Sequence, residues 1–365
     1  MRTDFLTQIA GLVPSLQAHA PALDKDPCFP AEDIAALRAA GLLTAPLPVA
    51  YGGAGLGEGV AGAAALFETL ALLGEGNLPV ARLYEAHVNA LQLVFRYGHP
   101  TLRARVAAEV GSNAGAGHLF GLWVTDPPVG GLHLHAGGML SGTKLVCSGA
   151  GGVTRALVSA ETPGGVQMLI VDVSRAVCEP ARLRLAGMRA AVTGAMKFDG
   201  MVVEPWQHLG QPGDYLGEPV FSAGAWRAAA AALGGLTALV KLHRDELIAR
   251  GRTANPAQTA RFGEALIAVE TARLWLAQAA QRACLEDRPA AEIVAYVNLA
   301  RLAVEAACLD ALRLAQRSLG LACFAIGHPV ERVARDLAVF LRQPAPDEVL
   351  ATAAQYYFAQ PGLPA

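Results

Sequence analysis

Four segments after Pro219 carry apolar residues at helical spacing, and they constrain the fold more than any other feature: Ala223 to Leu247, Thr259 to Leu285, Ala290 to Leu319 and Pro329 to Leu341. Segments of that length joined by short breaks predict a four-helix bundle. Leu299, Leu302, Ala306, Leu309 and Leu312 mark the expected core stripe of the third segment. A last helix is expected over Asp347 to Phe358, with both acids at the end where negative charge is favoured.

The chain ahead of the bundle divides in two. From Asp4 to about Gly41 it reads as helical, with a proline-rich break from Pro21 to Pro30. A glycine-rich loop follows at Ala45 to Gly57, then helices over Val60 to Leu73, Leu78 to Tyr97 and from Pro100. From His118 the runs shorten and become β-prone: Phe120 to Thr125, Leu132 to His135, Ala156 to Ser159, Val166 to Val173 and Met196 to Val203. Gly and Pro clusters separate them, which predicts a small antiparallel β domain. The expected fold class is therefore mainly α with a central β domain, divided into residues 1–117, 118–212 and 213–365. Nothing in this order suggests a doubly wound sheet.

Composition narrows the function. Hydrophobic residues make up 53% and charged residues 16%, which excludes disorder and points to large buried interfaces. A formal net charge of −2 gives no electrostatic reason for a nucleic-acid or anionic-membrane partner. Cys28, Cys147, Cys178, Cys284, Cys308 and Cys323 form no CxxC pair and read as reduced core thiols of a cytoplasmic protein. The first residues, Met1 to Phe5, lack the apolar run of a signal peptide. Ala228 to Val240 is strongly apolar, but Arg227 and Lys241 close it too early for a bilayer. His133 and His135 share a strand face, yet with no third His or Cys nearby no metal site is expected. Gly57 to Gly62 matches G-x-G-x-x-G, but Pro46 and Pro48 precede it where a nucleotide site needs a central strand. His99, before Pro100, is expected to be structural.

Several stretches then fall into one pattern. Phe29-Pro30, Gly41-Leu42 and Pro48 to Gly55 come first, then His87 to Gly98. Trp123-Val124-Thr125-Asp126-Pro127 is similar to a "V-T-E-P" strand, and Gly142 to Ser148 to "G-x-K-x-W-I-T". Gly187-Met188-Arg189, Thr193, Phe198-Asp199, Phe262-Gly263 and Gly327 to Asp336 complete the set. In order and spacing these segments resemble the acyl-CoA dehydrogenase family over nearly the whole chain. The resemblance implies FAD between the β domain and the bundle, partly held by a second subunit of a homodimer or homotetramer. It implies an FAD-dependent oxidoreductase acting on the CH–CH group of an acyl thioester such as acyl-CoA, with an electron acceptor as redox partner. Trp123, Thr125, Ser148, Arg261, Phe262, Arg317 and Gly320 are its expected cofactor contacts. Arg189 is expected either near the cofactor or paired with an acid.

The sequence also departs from that family. The usual glutamate base falls on Pro344, and the alternative position, before Arg227, falls on Trp226. The nearest carboxylates are Asp347 and Glu348, which would act as a displaced base or simply cap the last helix. The Arg that meets the cofactor pyrophosphate falls on Thr259, the stacking Trp on Val146, and a cofactor-binding Gln on Arg317. Two other readings stand beside dehydrogenation: a flavin-dependent monooxygenase of the same fold, which needs no α-proton base but needs a reductase, and a non-catalytic subunit.

Overall fold

A computed structural model describes residues 2–111, 117–179 and 183–362. Helix α1 (Arg2–Lys25) runs straight through Pro14 and Pro21, which corrects the expected break. The chain leaves the helix only at Asp26 to Pro30, ahead of α2 (Ala31–Ala39) with Glu32 and Asp33 in its first turn. Helices α3 (Gly59–Gly76), α4 (Leu78–Tyr97) and α5 (Pro100–Gly111) follow. His99 accepts the Leu102 N–H at the start of α5 and faces the Trp206 carbonyl at 3.1 Å, a structural position. In the G-x-G-x-x-G stretch, Gly57 N–H donates to Gly62 O, and a Cβ on Gly62 would lie 2.4 Å from Gly55 O. These glycines fold a loop against α3.

The strands are β1 (Phe120–Trp123), β2 (His133–Leu134), β3 (Leu140–Ser141), β4 (Thr143–Cys147) and β5 (Arg155–Thr162). After them come β6 (Gly165–Asp172), β7 (Val177–Glu179), β8 (Gly194–Lys197) and β9 (His208–Leu209). One sheet has the order β3-β2-β5-β6-β9 with β1 also on β5, and a second has the order β4-β8-β7. The domain is not purely antiparallel: β1 and β2 both run parallel to β5. The β2–β4 excursion carries the chain back before β5 begins, so β5 repeats the direction of β1. The strand expected over Met196 to Val203 ends at Lys197, where the chain turns through Asp199-Gly200.

The last third begins with a short α6 (Val220–Ala223), then α7 (Trp226–Ala249), α8 (Pro256–Arg282), α9 (Ala290–Leu319), α10 (Pro329–Phe340) and α11 (Pro346–Phe358). Asn255 caps α8 through its side chain. Of the expected core stripe of α9 only Leu312 is buried. Ile293, Val297, Ala300, Val304, Ala307, Cys308 and Ala311 are buried with it, whereas Ala306 and Leu309 are exposed and Leu299 and Leu302 half-buried. Alanine and β-branched residues supply much of the face toward the neighbouring helices, where close packing of α7, α8 and α9 favours them. Two runs, Gly59–Gly76 and Val220–Ala249, are long and apolar enough to cross a membrane by length and composition, and half or more of each is buried in the protein core. Of the cysteines, Cys147, Cys308 and Cys323 are buried, while Cys28 is exposed, contrary to its expected core place.

Two joints fix the parts. At the α3–α7 crossing, a Cβ on Gly74 would lie 2.2 Å from Ala231 O, and one on Gly234 2.2 Å from Ala71 O. At the α4–β1 joint, buried His87 faces Leu43 O through Nε2 at 2.9 Å and accepts the Phe120 N–H at Nδ1 at 3.1 Å. That second bond requires an unprotonated Nδ1, so the ring is the neutral Nε2–H tautomer.

Gly234→Ala should lower stability by about 1–3 kcal/mol, since backbone cannot give way to the new methyl. Gly263→Ala, in α8 with open space around it, should instead raise stability by about 0.5–1 kcal/mol. Urea unfolding of both variants checks this contrast. Burial pulls the His87 pKa from 6.5 down to about 4. The unfolded chain therefore takes up a proton near pH 6.5 while the folded one does not. The stability this ring contributes is complete above that pH and is lost as pH falls toward 4. Subtracting the pH profile of His87→Gln from that of the parent should leave this loss, about 3 kcal/mol across the window. Superimposable profiles would refute it.

Candidate functional site

The expected cofactor contacts fall into two groups, and the structure brings each group together separately. The first lies on the β domain. Trp123, 1% exposed, donates its indole N–H to Ser148 O at 2.9 Å, which locks the end of β1 to the end of β4. Beyond it, Thr125 bridges Leu145 by an antiparallel pair, with the Leu145 N–H on Thr125 O at 2.8 Å. Ser148 is buried, and its hydroxyl lies 3.5 Å from the hydroxyl of Thr193. Between these hydroxyls β4 bulges, and Val146 sits half exposed at φ 54°. A β-branched residue in the left-handed region is strained, and such strain concentrates at functional sites. The result is an apolar rim with hydroxyls on either side.

Lys144 holds this rim, a role not visible in the sequence. A lysine on a strand is expected to be solvated, yet Lys144 is fully buried. Its ammonium reaches Asp126 Oδ1 at 2.7 Å and donates to Ser159 Oγ at 2.9 Å and Val124 O at 3.4 Å. Burial lowers its pKa and the Asp126 carboxylate opposes that shift. Asp126 also accepts the Leu132 N–H. The segment carrying Thr125 is thus tied to β4 and β5 through one cation.

The second group lies at the far end of the bundle. Gln258 Nε2 donates to Ser318 O at 3.3 Å and so packs the start of α8 on the end of α9. Arg261 and Phe262 lie one turn beyond Gln258, and Arg317 and Gly320 flank this contact on α9. Phe262 meets the buried His243 ring edge-on, with centroids 6.0 Å apart. Gly320 ends α9 at φ 66°. Among the described residues Arg261 and Arg317 have no carboxylate partner, so this end presents two uncompensated guanidinium groups.

Asp347 and Glu348 are exposed in the first turn of α11 and border neither of the two cavities described below. Pro344 is exposed, and its carbonyl accepts from Arg301 at 2.6 Å. Trp226 is buried in the core. Beside it runs a polar seam between α4 and α7. Arg227 donates to Asn89 Oδ1 at 3.0 Å, Asn89 in turn donates to the buried Glu85, and Arg82 pairs with Glu85. The Arg227 Nε has no partner among the described residues, and burial lowers the pKa of this guanidinium to about 10. The i, i+3, i+7 spacing of Arg82, Glu85 and Asn89 could have revealed the α4 side of this seam, but its pairing with Arg227 is tertiary. Among the described residues Arg189 meets no acid; it donates to Lys25 O at 3.3 Å.

Two cavities stand out. One of about 500 Å³ is lined by Pro27, Arg184, Met188, Arg189, Val192 and Thr193 among others, next to the β rim. The other, about 1170 Å³, opens between α1, α7 and α10. Among the described residues no group of three or more His, Cys, Asp or Glu side chains is placed to hold a metal. His133 and His135 are solvent-facing neighbours, their ring centroids 6.4 Å apart.

Comparison with known proteins follows this geometry. Residues 13–113 match the sequence model of the acyl-CoA dehydrogenase N-terminal domain. No curated protein sequence matches the chain. The flavin mononucleotide and indole complex of TdsC from a Paenibacillus species has a TM-score of 0.85 at 17% identity, over 97% of this chain and 96% of that one. Butyryl-CoA dehydrogenase from Megasphaera elsdenii has a TM-score of 0.83 at 18% identity, over 98% of both chains. Methanesulfinate monooxygenase MsuC from Pseudomonas fluorescens has a TM-score of 0.83 at 19% identity, over 99% of this chain and 98% of that one. The sequence of residues 13–113 thus matches that N-terminal domain, and the whole chain has the fold of the acyl-CoA dehydrogenases.

Proposed function

We propose that the protein is a flavin-dependent monooxygenase built on the acyl-CoA dehydrogenase fold, supplied with reduced flavin by a separate reductase. One observation carries this reading. The two positions where the family keeps its base hold Pro344 and Trp226, and the nearest carboxylates, Asp347 and Glu348, are solvated caps of α11. Dehydrogenation requires a carboxylate within hydrogen-bond reach of an acidic C–H, whereas oxygen transfer to a polar substrate does not. The seam beside Trp226 agrees, because Arg82, Glu85, Asn89 and Arg227 suit a polar substrate better than a fatty chain. Structures similar in fold include a dibenzothiophene monooxygenase and a methanesulfinate monooxygenase.

The residues fit a flavin. Thr125 and Ser148 present hydroxyls beside the apolar Val146 rim, and the Ser148 hydroxyl has only the distant Thr193 as partner. Bound there, the flavin supplies the redox chemistry. The chain positions and shields it. Trp123 and Lys144 hold the rim rigid from behind, and Arg227 orients the polar group of the substrate. In a homo-oligomer, Arg261 and Arg317 of a second copy would meet a pyrophosphate, which guanidinium groups suit, and Phe262 and Gly320 would shape that end. This arrangement takes FAD, or FMN without the second-copy contacts. Reading the protein as an acyl-thioester dehydrogenase instead requires Asp347 or Glu348 to serve as the base.

The visible spectrum with FMN or FAD, followed by anaerobic addition of acyl-CoAs, tests the reading. The expected result is a yellow protein that no acyl-CoA bleaches, and that consumes oxygen only with a flavin reductase present. Bleaching that disappears in Asp347→Asn or Glu348→Gln would establish the dehydrogenase instead. A protein that takes up neither flavin would be a non-catalytic member. Ser148→Ala should weaken flavin binding about 5–10-fold by removing one hydrogen bond. Lys144→Met should weaken it more, by releasing Thr125. Fluorescence titration checks both, and unchanged affinity in both variants would place the ring elsewhere.

A further inference from the structure

The 1170 Å³ cavity lies between the helical segments and meets the smaller cavity at Ala186 and Arg189, and its wall contains an unusual residue. Asn77, at the junction of α3 and α4, is 2% exposed, and neither its amide nitrogen nor its amide oxygen has a partner among the described residues. It occupies the N-cap position of α4 without making a side-chain cap. A buried primary amide with both ends unpaired is costly unless a bound group completes it. The N-terminus of α4 opens at the same point, with Pro79 in its first turn, and favours negative or hydrogen-bond-accepting groups there.

Charge accounting around the cavity points the same way. Every carboxylate on its wall is held by a base: Asp24 and Glu331 by Arg335, Glu75 by Lys241, Asp245 by Arg244 and Asp336 by Arg332. His328 accepts from the Val330 N–H and faces Glu246 at 3.4 Å. Two cations on the wall have no acid partner among the described residues, Lys25 and Arg189, and the Arg189 guanidinium is anchored on the Lys25 carbonyl at 3.3 Å. They stand at one end of the cavity. Near the other end, Gln17 donates to Glu75 O at 3.1 Å, two residues from Asn77. From Gln17 to Lys25 along α1 is about 12 Å at the usual helical rise. The wall also carries apolar residues, including Val13, Leu72, Leu78 and Leu242.

We propose that this cavity binds an organic anion that carries an amide and an apolar body. Its carboxylate sits against Lys25 and Arg189. Its amide pairs with both atoms of Asn77, and its hydrocarbon part lies along α1. The volume is at the upper range of small-molecule sites. The assignment does not depend on the reaction proposed above, since no residue of the β rim takes part.

8-Acetamidooctanoate is a probe with all three features, its hydrocarbon chain separating the amide from the carboxylate. Isothermal titration of the purified protein should show saturable binding at one site. The methyl ester, which lacks the charge, and octanoate, which lacks the amide, should each bind about tenfold or more weakly. Arg189→Gln should weaken the acid about 10-fold while leaving the ester unchanged. Asn77→Asp keeps the side-chain shape and places a carboxylate at the start of α4, where negative charge is favoured, and should remove the difference between the amide-bearing acid and octanoate. Absence of binding at millimolar probe, or binding indifferent to Arg189→Gln, would overturn the proposal.

Discussion

The Arg335–Asp336 pair on α10 is the joint on which the rest of the structure depends. Arg335 spans Asp24 on α1 at 2.6 Å, Glu331 on its own helix and Ala186 O at 2.7 Å in the loop before β8. Asp336 turns inward, where it is 2% exposed, and accepts the Met188 N–H at 2.6 Å. Burial raises its pKa to about 6, and the Met188 N–H and Arg332 work against that rise. Gly187 lies flat on this helix, since a Cβ there would be 2.2 Å from Arg335 O. One dipeptide thus ties together the first helix, the β domain and the bundle, and it sets where the loop carrying Val192 and Thr193 rests.

The candidate site follows from that placement. The loop bearing Thr193 lies beside Ser148, so the rim has a back wall, and Trp123 and Lys144 fix the two strand ends that form it. Lys144 behaves as an internal strut here. Its ammonium is expensive to bury, but the Asp126 carboxylate and two oxygen acceptors satisfy it, and removing it would leave the Thr125 segment without an anchor. The two unpaired guanidinium groups at the far bundle end have the opposite character, since they lie open to a partner or ligand.

Much of the fold was legible in the sequence because helical periodicity survives in long segments. The termini of α9 coincide with their expected positions, and α4 begins and ends as the pattern predicts. Local chemistry misled where tertiary context decided. Pro21 looked like a break but stays within α1, because a surface helix tolerates lost backbone bonds when the freed carbonyls face water or a cavity. Most of the α9 core stripe was misplaced because Ala300, Ala307 and Ala311 share that core with Ile293, Val297 and Val304, and spacing of leucines alone does not register them. For the site, the residue types at the β rim could be read from motif order. The burial of Lys144, the pairing of Arg227 with Asn89 and the orphan amide of Asn77 could not, because each depends on contacts between distant segments.

The two joints that hold the β domain differ in kind. His87 is uncharged when bonded to Leu43 and Phe120, so dissolved ions have little hold on it. The Arg335 cluster is ionic and only partly shielded from solvent, so its strength falls as counter-ions accumulate. Acid reaches both joints, Asp336 taking up its proton near pH 6 and His87 only near pH 4, whereas concentrated salt weakens the ionic one alone. The two edges of the β domain therefore answer differently to the medium, one to proton and salt together and the other to the proton only.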